Sequence, residues 1–342
     1  MFKKNNIKFL FLAIICTLII RLIAWIFLLS KNIISIYYLN STKLDRSNKY
    51  LWSKKFIDYN YYNEFKTEHI SDKKIIFDQI NRSNKYIWIR NTSNNSNVKT
   101  DLDHFGELID SMKLNQPIIL ITTDGDRPVP SSYNKNLVNK ILSSNKISNW
   151  YTQNYDKSII HPKLKYYPIG LDMHTKKLLN NQSLDPQVEL FNKYLSNHSN
   201  KNKKNRIFCD SHLSLSHPRR KEMYYILKNN KMIDFLNEKV NHEQIMKKYS
   251  EYRFVLSPIG NGLDCHRTWE VFLLGSIVIT ETSSLDDMYI KNNLPVIILK
   301  NFNELNRINC VDSLNALYSK YKHKCSKDNI LEKFNPEYWV KQ

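Results

Sequence analysis

Tyr252 to Thr280, YRFVLSPIGNGLDCHRTWEVFLLGSIVIT, decides how the rest of the chain is read. Arg253 to Ser257 is short, apolar and partly β-branched, the composition of a buried strand. Pro258 stops it, and Gly260, Asn261 and Gly262 supply a tight turn where positive φ costs little. Asp264 stands where an N-cap belongs, and Cys265 to Leu274 has the composition of a helix. Gly275 ends that helix, and Ile277 to Thr280 gives a second strand. The unit is strand, Gly-rich turn, helix, strand. Its turn lies at the carboxyl end of a strand and the amino end of a helix, where open α/β sheets receive anionic ligands.

His266 and Arg267 fall in the first turn of the helix, where a cation opposes the helix dipole. An Arg aimed at the same spot as free backbone N–H groups makes sense if a phosphate lies between them. Glu270 follows Arg267 by three residues and His266 by four, so the three can share a face. Trp269, Phe272 and Leu273 can fill another face against a sheet. A diphosphate site with Arg267 on phosphate and Glu270 on a ribose hydroxyl is one reading. An ordinary βαβ turn with an Arg–Glu surface pair is the other. The turn is neither a P-loop, having no Gly-Lys-Ser/Thr, nor GxGxxG, because Cys265 stands where the third Gly would be.

These residues also carry a resemblance. FVLSPIGNGLDCHRTWEVFLLGSIVIT, followed by SSLDDMYIKNNLPVIIL, resembles the donor-binding half of exostosin-like glycosyltransferases. It is more distantly similar to fucosyltransferase-type enzymes of the GT-B class. The similarity is most specific from Phe254 to Leu299 and extends more loosely through YPIGLD and TTDGD. It implies that Glu270 holds the ribose of a nucleotide-sugar donor and that Arg267 meets its pyrophosphate. Ser257, Gly260, Asn261, Gly262, Asp264 and His266 would complete the donor loop, with Arg220 a further basic group near the phosphates.

The chain has 342 residues, enough for one large core or two modest ones. Its 42% hydrophobic and 12% aromatic content suits a folded protein. The formal net charge of +19 invites a nucleic-acid reading. That reading is set aside, because the excess is Lys scattered among Asn, Ile and Tyr, with no basic block interleaved with stacking aromatics.

Phe9 to Leu29 is apolar apart from Arg21, and its length suits a bilayer span. Arg21 costs roughly 2.5–3.5 kcal/mol on insertion scales, which the surrounding Leu, Ile and Phe outweigh. No small-x-small cleavage site follows. The expectation is an uncleaved signal anchor with the amino end cytosolic and the remainder lumenal, in a Golgi/ER-like or host endomembrane setting. Asn40, Asn81, Asn91, Asn94, Asn181 and Asn197 begin N-x-Ser/Thr sequons, although so Asn-rich a chain produces them by chance. Of 5 cysteines, Cys16 lies in the apolar run. Cys310 and Cys325 are near enough in sequence to close a short loop, but pairing cannot be assigned from spacing.

The stretch from Ile33 to about Ser71 has no clear period and is read as a stem. Lys74 to Phe77 and Tyr86 to Ile89 are candidate strands, and Pro117 to Thr123 is a buried one. This last ends at Asp124-Gly125-Asp126. Two carboxylates around a Gly suggest either a metal-binding DxD or, in a GT-B cleft, a base for the acceptor hydroxyl. A polar turn before Pro128 and Pro130 is the structural alternative. Asn134 to Ser143 reads as a helix. Asn149 to Asp156, which includes Asn154, mixes aromatics and amides in a way suited to a sugar or to a packed turn. Leu164 to Ile169 is another strand, and Asp172 and His174 follow it as cleft candidates.

Thr175 to Asn205 shows few periodic apolar positions and is the expected boundary. Beyond it, Arg206 to Cys209 is a strand, and Pro218 opens a helix to about Leu227 with Arg219, Arg220 and Lys221 in its first turn. The expected organisation is α/β, two Rossmann-like domains of GT-B type behind an N-terminal transmembrane helix. Residues 1–31 would be tail and anchor, 32–71 stem, 72–200 the acceptor domain and 201–342 the donor domain with a returning C-terminal helix. The expected activity is transfer of a sugar from a nucleotide sugar to a hydroxyl of a glycan or glycoprotein. It needs no cofactor beyond the donor; a divalent metal is the less favoured variant. Asp126, then Asp124, would serve as base. A glycan-binding module whose chemistry has lapsed is the competing class.

Overall fold

The computed structural model describes residues 50–57, 71–83, 85–91, 99–173, 185–196, 198, 202–214 and 216–341. The expected membrane span, sequon residues Asn40, Asn94, Asn181 and Asn197, and His174 all lie outside them. Among the described residues no helix is long and apolar enough to cross a membrane.

Two parallel sheets organise the chain. The first runs β1 (Tyr86–Arg90), β2 (Ile118–Thr123), β3 (Ile147–Thr152) and β4 (Leu164–Tyr166), side by side in sequence order. Parallel neighbours need crossovers, and α2 (Asp101–Leu108) and α3 (Lys135–Ser143) supply the first two. Thr100 and Asp103 close a capping box on α2, and the Asn134 side chain caps α3. Ahead of β1 lies α1 (Lys73–Arg82), capped by Asp72, where the sequence suggests a strand from Lys74. Its buried residues, Ile76, Gln79 and Ile80, follow helical spacing, and that longer pattern overrides the short β-branched run.

The second sheet has the order β6-β5-β7-β8-β9, all parallel. Its strands are β5 (Lys204–Cys209), β6 (Ile233–Phe235), β7 (Tyr252–Leu256), β8 (Ile277–Glu281) and β9 (Val296–Leu299). The connecting helices are α5 (Pro218–Leu227), α6 (His242–Glu251), α7 (His266–Leu273) and α8 (Asp286–Lys291), with α4 (Asp185–Ser196) entering before β5. Three more close the chain: α9 (Val311–Tyr321), α10 (Lys327–Phe334) and α11 (Pro336–Val340). β7 and β8 are buried almost throughout, as a sheet covered on both faces requires.

Two stretches expected to be irregular are structural. Helix α4 occupies the middle of the supposed linker, and Phe191, Tyr194 and Leu195 bury on one side of it among Asn and Lys. In the supposed stem, Tyr50, Leu51 and Trp52 are buried, and Trp52 bridges Gly170. These residues belong to an apolar cluster that joins the two sheets: Trp88, Ile121 and Tyr151 on one side, Val255, Trp269 and Trp339 on the other. The C-terminal helices meet the first sheet there, the Tyr86 hydroxyl lying 3.2 Å from Glu337. Cys209, Cys265, Cys310 and Cys325 are all free thiols; Cys310 is exposed and Cys325 buried, so the short loop they could have closed is not formed.

Candidate functional site

The strand order of the second sheet reverses between β5 and β7. From β5 the chain crosses through α5 to β6; from β7 it leaves the opposite way through α7 to β8. A crevice therefore opens beyond the carboxyl ends of β5 and β7, where doubly wound sheets bind ligands. It holds a cleft of about 670 Å³ lined by Asp210, Arg220, Tyr249, His266, Arg267 and Glu270, with Asp172 contributed from the first half.

Arg267 sits on the first turn of α7, and its fork is engaged. Nε lies 2.9 Å and Nη2 3.1 Å from the two oxygens of Asp210, and Nε also reaches the Tyr249 hydroxyl at 3.0 Å. The Tyr249 hydroxyl in turn donates to Asp210 Oδ2 at 3.0 Å. Burial works against the guanidinium charge, but the Asp210 carboxylate holds its pKa well above the usual range. Arg220 is the one first-turn cation of α5 that lines the cleft. Its Nε donates to the Ile259 carbonyl at 3.0 Å, and burial, then Arg267, pull its pKa down. Neighbouring Arg219 is bound to Glu281 and Glu222, and Lys221 is exposed.

The loop between β7 and α7 is shaped by its contacts. A Cβ on Gly260 would stand 2.9 Å from Arg220 Nη2, and one on Gly262 would stand 2.7 Å from Asn154 Oδ1. Asn261 is exposed. Asn154 holds a positive φ of 56°, accepts from the Leu263 amide at 2.8 Å and donates to the Gly125 carbonyl at 2.8 Å. It thus fastens the Asp124-Gly125-Asp126 loop to the Gly-rich turn and does not line the cleft. Ser257 Oγ is 2.9 Å from Thr268 Oγ1 and 3.2 Å from Cys265 Sγ. Asp264 is not the N-cap. Cys265 holds that position without a side-chain capping bond, while buried Asp264 accepts from the Ile169 amide at 2.9 Å and Trp269 Nε1 at 3.1 Å. Burial pushes its carboxyl up. A carboxylate with two donors in the core is taken from the helix end it would otherwise cap.

His266 Nδ1 lies 2.8 Å from the Gly170 carbonyl, joining α7 to the loop that carries Asp172. Asp124, at a φ of 63°, faces Arg90 Nε at 2.8 Å and Lys54 Nζ at 3.4 Å. Burial pushes its carboxyl up against the pull of these two cations. Asp126, two residues on, is exposed. Both cations meet the same Asp124 oxygen, Oδ2, so the loop presents one ion-paired carboxylate and one exposed one. Among the described residues no group of three or more His, Cys, Asp or Glu could hold a metal.

Of the residues singled out by sequence, Asp172, Arg220, His266, Arg267 and Glu270 line one cleft. Asp124, Asp126 and Asn154 lie on the loops beside it. Asp210, Tyr249 and His242 were missed. Asp210 directly follows a strand, the rule that picked out Asp172 and Asp124; nothing local marks Tyr249, His242 or Lys54.

No protein-family model matches the chain, and no curated protein matches it. Solved structures are similar in overall path. A trehalose-phosphate synthase (UDP-forming) from Burkholderia vietnamiensis is 9% identical at TM-score 0.42, covering 79% of this chain and 76% of its own. TarM is 11% identical at TM-score 0.36, covering 71% of this chain and 57% of its own. The pneumococcal O-GlcNAc transferase GtfA, solved with UDP and GlcNAc, is 11% identical at TM-score 0.31, covering 70% and 60%.

Proposed function

We propose that the chain is a nucleotide-sugar-dependent glycosyltransferase of exostosin-like, GT-B type, transferring a sugar to a hydroxyl of a glycan or glycoprotein. The observation that carries this reading is the cleft itself. Arg220, which is buried, half-buried Arg267 and the amino end of α7 face it at the reversal of a parallel sheet, with the Glu270 carboxylate farther along the same helix. Cations and free helix N–H groups suit a diphosphate, and a carboxylate suits a sugar diol. Arg267, Arg220 and the α7 amides would carry the charge that develops on the leaving nucleoside diphosphate. The base would come from the first half. Asp126 is solvent-open on the loop that Asn154 ties to the donor turn, and Asp172 borders the cleft. Attachment to a membrane through residues 9–29, with a lumenal catalytic part, belongs to the same proposal.

The test is calorimetric titration of the purified protein with UDP, GDP and CMP. Micromolar binding of one nucleotide, weakened at least about tenfold by Arg267→Ala and by Glu270→Ala, is expected, since each removes a charge-assisted contact. No binding of any of them at millimolar concentration by a folded protein would overturn the reading. Asp126→Asn and Asp172→Asn then separate the two base candidates: the true base loses turnover and keeps nucleotide affinity.

A further inference from the structure

His242 is the first residue of α6, held at that end by a capping box in which the Asn241 and Gln244 side chains exchange bonds with each other's amides. Its ring reaches from the cleft wall to α7, where Nε2 lies 2.9 Å from Glu270 Oε1. Both side chains are buried, at 7% and 6% exposure. The other ring nitrogen, Nδ1, is enclosed with no partner among the described residues. The ring meets Phe191 of α4 edge to face, with centroids 6.3 Å apart and planes at 80°.

A carboxylate oxygen accepts, so the ring nitrogen that faces it, Nε2, carries a proton and gives it to Glu270. A carboxylate offers about four lone-pair sites, and His242 occupies one of them. A donor fixed 2.9 Å away holds one oxygen of the carboxylate in place and so sets the plane of the group. Phe191 and the capped end of α6 hold the ring in place.

We propose that His242 is a positioning residue for the donor site: it orients Glu270 to accept the vicinal ribose hydroxyls of the nucleotide. This rests on the reading of the cleft as a nucleotide site. It assigns to a helix start that carries no local motif a share of the affinity for ribose and none for phosphate.

The experiment compares UDP with 2′,3′-dideoxyuridine 5′-diphosphate on the wild type, His242→Asn and His242→Gln, by calorimetry on the full chain in detergent. A Gln amide reaches the place of Nε2, and an Asn amide stops at the place of Nδ1. The wild type prefers UDP to the dideoxy analogue. His242→Asn weakens UDP about tenfold, the loss of one oriented bond, and leaves the analogue unchanged; His242→Gln stays within about threefold of wild type for both. Equal UDP affinity in wild type and His242→Asn would overturn the proposal. So would equal losses for UDP and its analogue in both variants, which mark a merely structural histidine. If GDP is the nucleotide that binds the wild type, the same comparison runs with GDP and its dideoxy analogue. A wild type that binds neither diphosphate overturns the donor reading itself, a result distinct from binding that is indifferent to His242.

Discussion

Arg267 enters the cleft with its charge already balanced. Asp210 takes both arms of the fork and Tyr249 completes the triad, so the guanidinium is aimed before any ligand arrives. Removing one member of a largely buried pair leaves the other charge without compensation, which costs about 3–5 kcal/mol where burial is complete. Asp210→Asn keeps the shape and removes the charge, so it should lower unfolding stability by several kcal/mol, at the lower end of that range because the amide oxygen still accepts one bond. A bound diphosphate supplies the missing negative charge. Denaturant unfolding with and without saturating UDP should therefore show a larger ligand-induced stabilisation in Asp210→Asn than in the wild type. Equal increments would place the diphosphate elsewhere.

At the scale of elements, α7 and its flanking strands were legible because their signals are local. The observed helix begins and ends one residue inside the expected bounds, and Gly275 takes the φ of 72° that its place after a helix asks of it. The missed elements have their information elsewhere. Helix α4 buries Phe191, Tyr194 and Leu195 with Val188 and Leu190 beside them, a short apolar face set in a stretch rich in Asn, Lys and Ser on either side. Asp264 looks like a cap until Ile169, far away in sequence, brings an amide to it. The far end of α7 depends on long-range contacts too. His198 sets one ring nitrogen 2.8 Å from the Leu273 carbonyl and the other 2.9 Å from that of Cys325. Lys203 Nζ donates to Ser250 O, Leu274 O and Ser276 Oγ, each at 2.9 Å, tying α6, α7 and β8 together. Burial lowers the Lys203 pKa to about 8, against about 10.4 in an unfolded chain. Between those values the unfolded state binds the proton and the folded state does not, so stability from this group rises with pH. The penalty is full below pH 8 and is relieved by about 2 kcal/mol near pH 9.5. Unfolding of wild type and Lys203→Gln at pH 7.5 and 9.5 should show the wild type gaining by that amount relative to the variant. A gap that does not change with pH would mean that Lys203 keeps its proton in the fold as it does in the unfolded chain.

Across the whole molecule the two sheets share one apolar seam. Trp269 of α7 meets Trp339 edge to face with centroids 5.7 Å apart, and Phe334 at 5.9 Å. The end of the chain therefore packs directly behind the helix that carries Arg267 and Glu270. Trp339→Ala removes a fully buried indole and should cost about 3–5 kcal/mol. If the proposed activity holds, turnover should fall as well, because α7 loses its backing against the first half. Thermal unfolding and turnover measured together check this, and a variant with wild-type stability would show that the seam yields without cost. The cores of both sheets were legible from their apolar runs; the seam was not, because Tyr50, Trp88, Trp269 and Trp339 are brought together from distant parts of the chain. The segment before the first sheet enters the molecule at this seam. Trp88 Nε1 and the Thr123 hydroxyl both bond the Ser53 carbonyl, Lys54 reaches Asp124, and the Leu51 carbonyl stands where any side chain on Gly170 would collide with it. A pull on the backbone at residue 50 is thus delivered to the carboxylate loop and to the Gly170 carbonyl that holds His266, not to the rim of either sheet. Traction at that point would be felt first in the gap between the two halves.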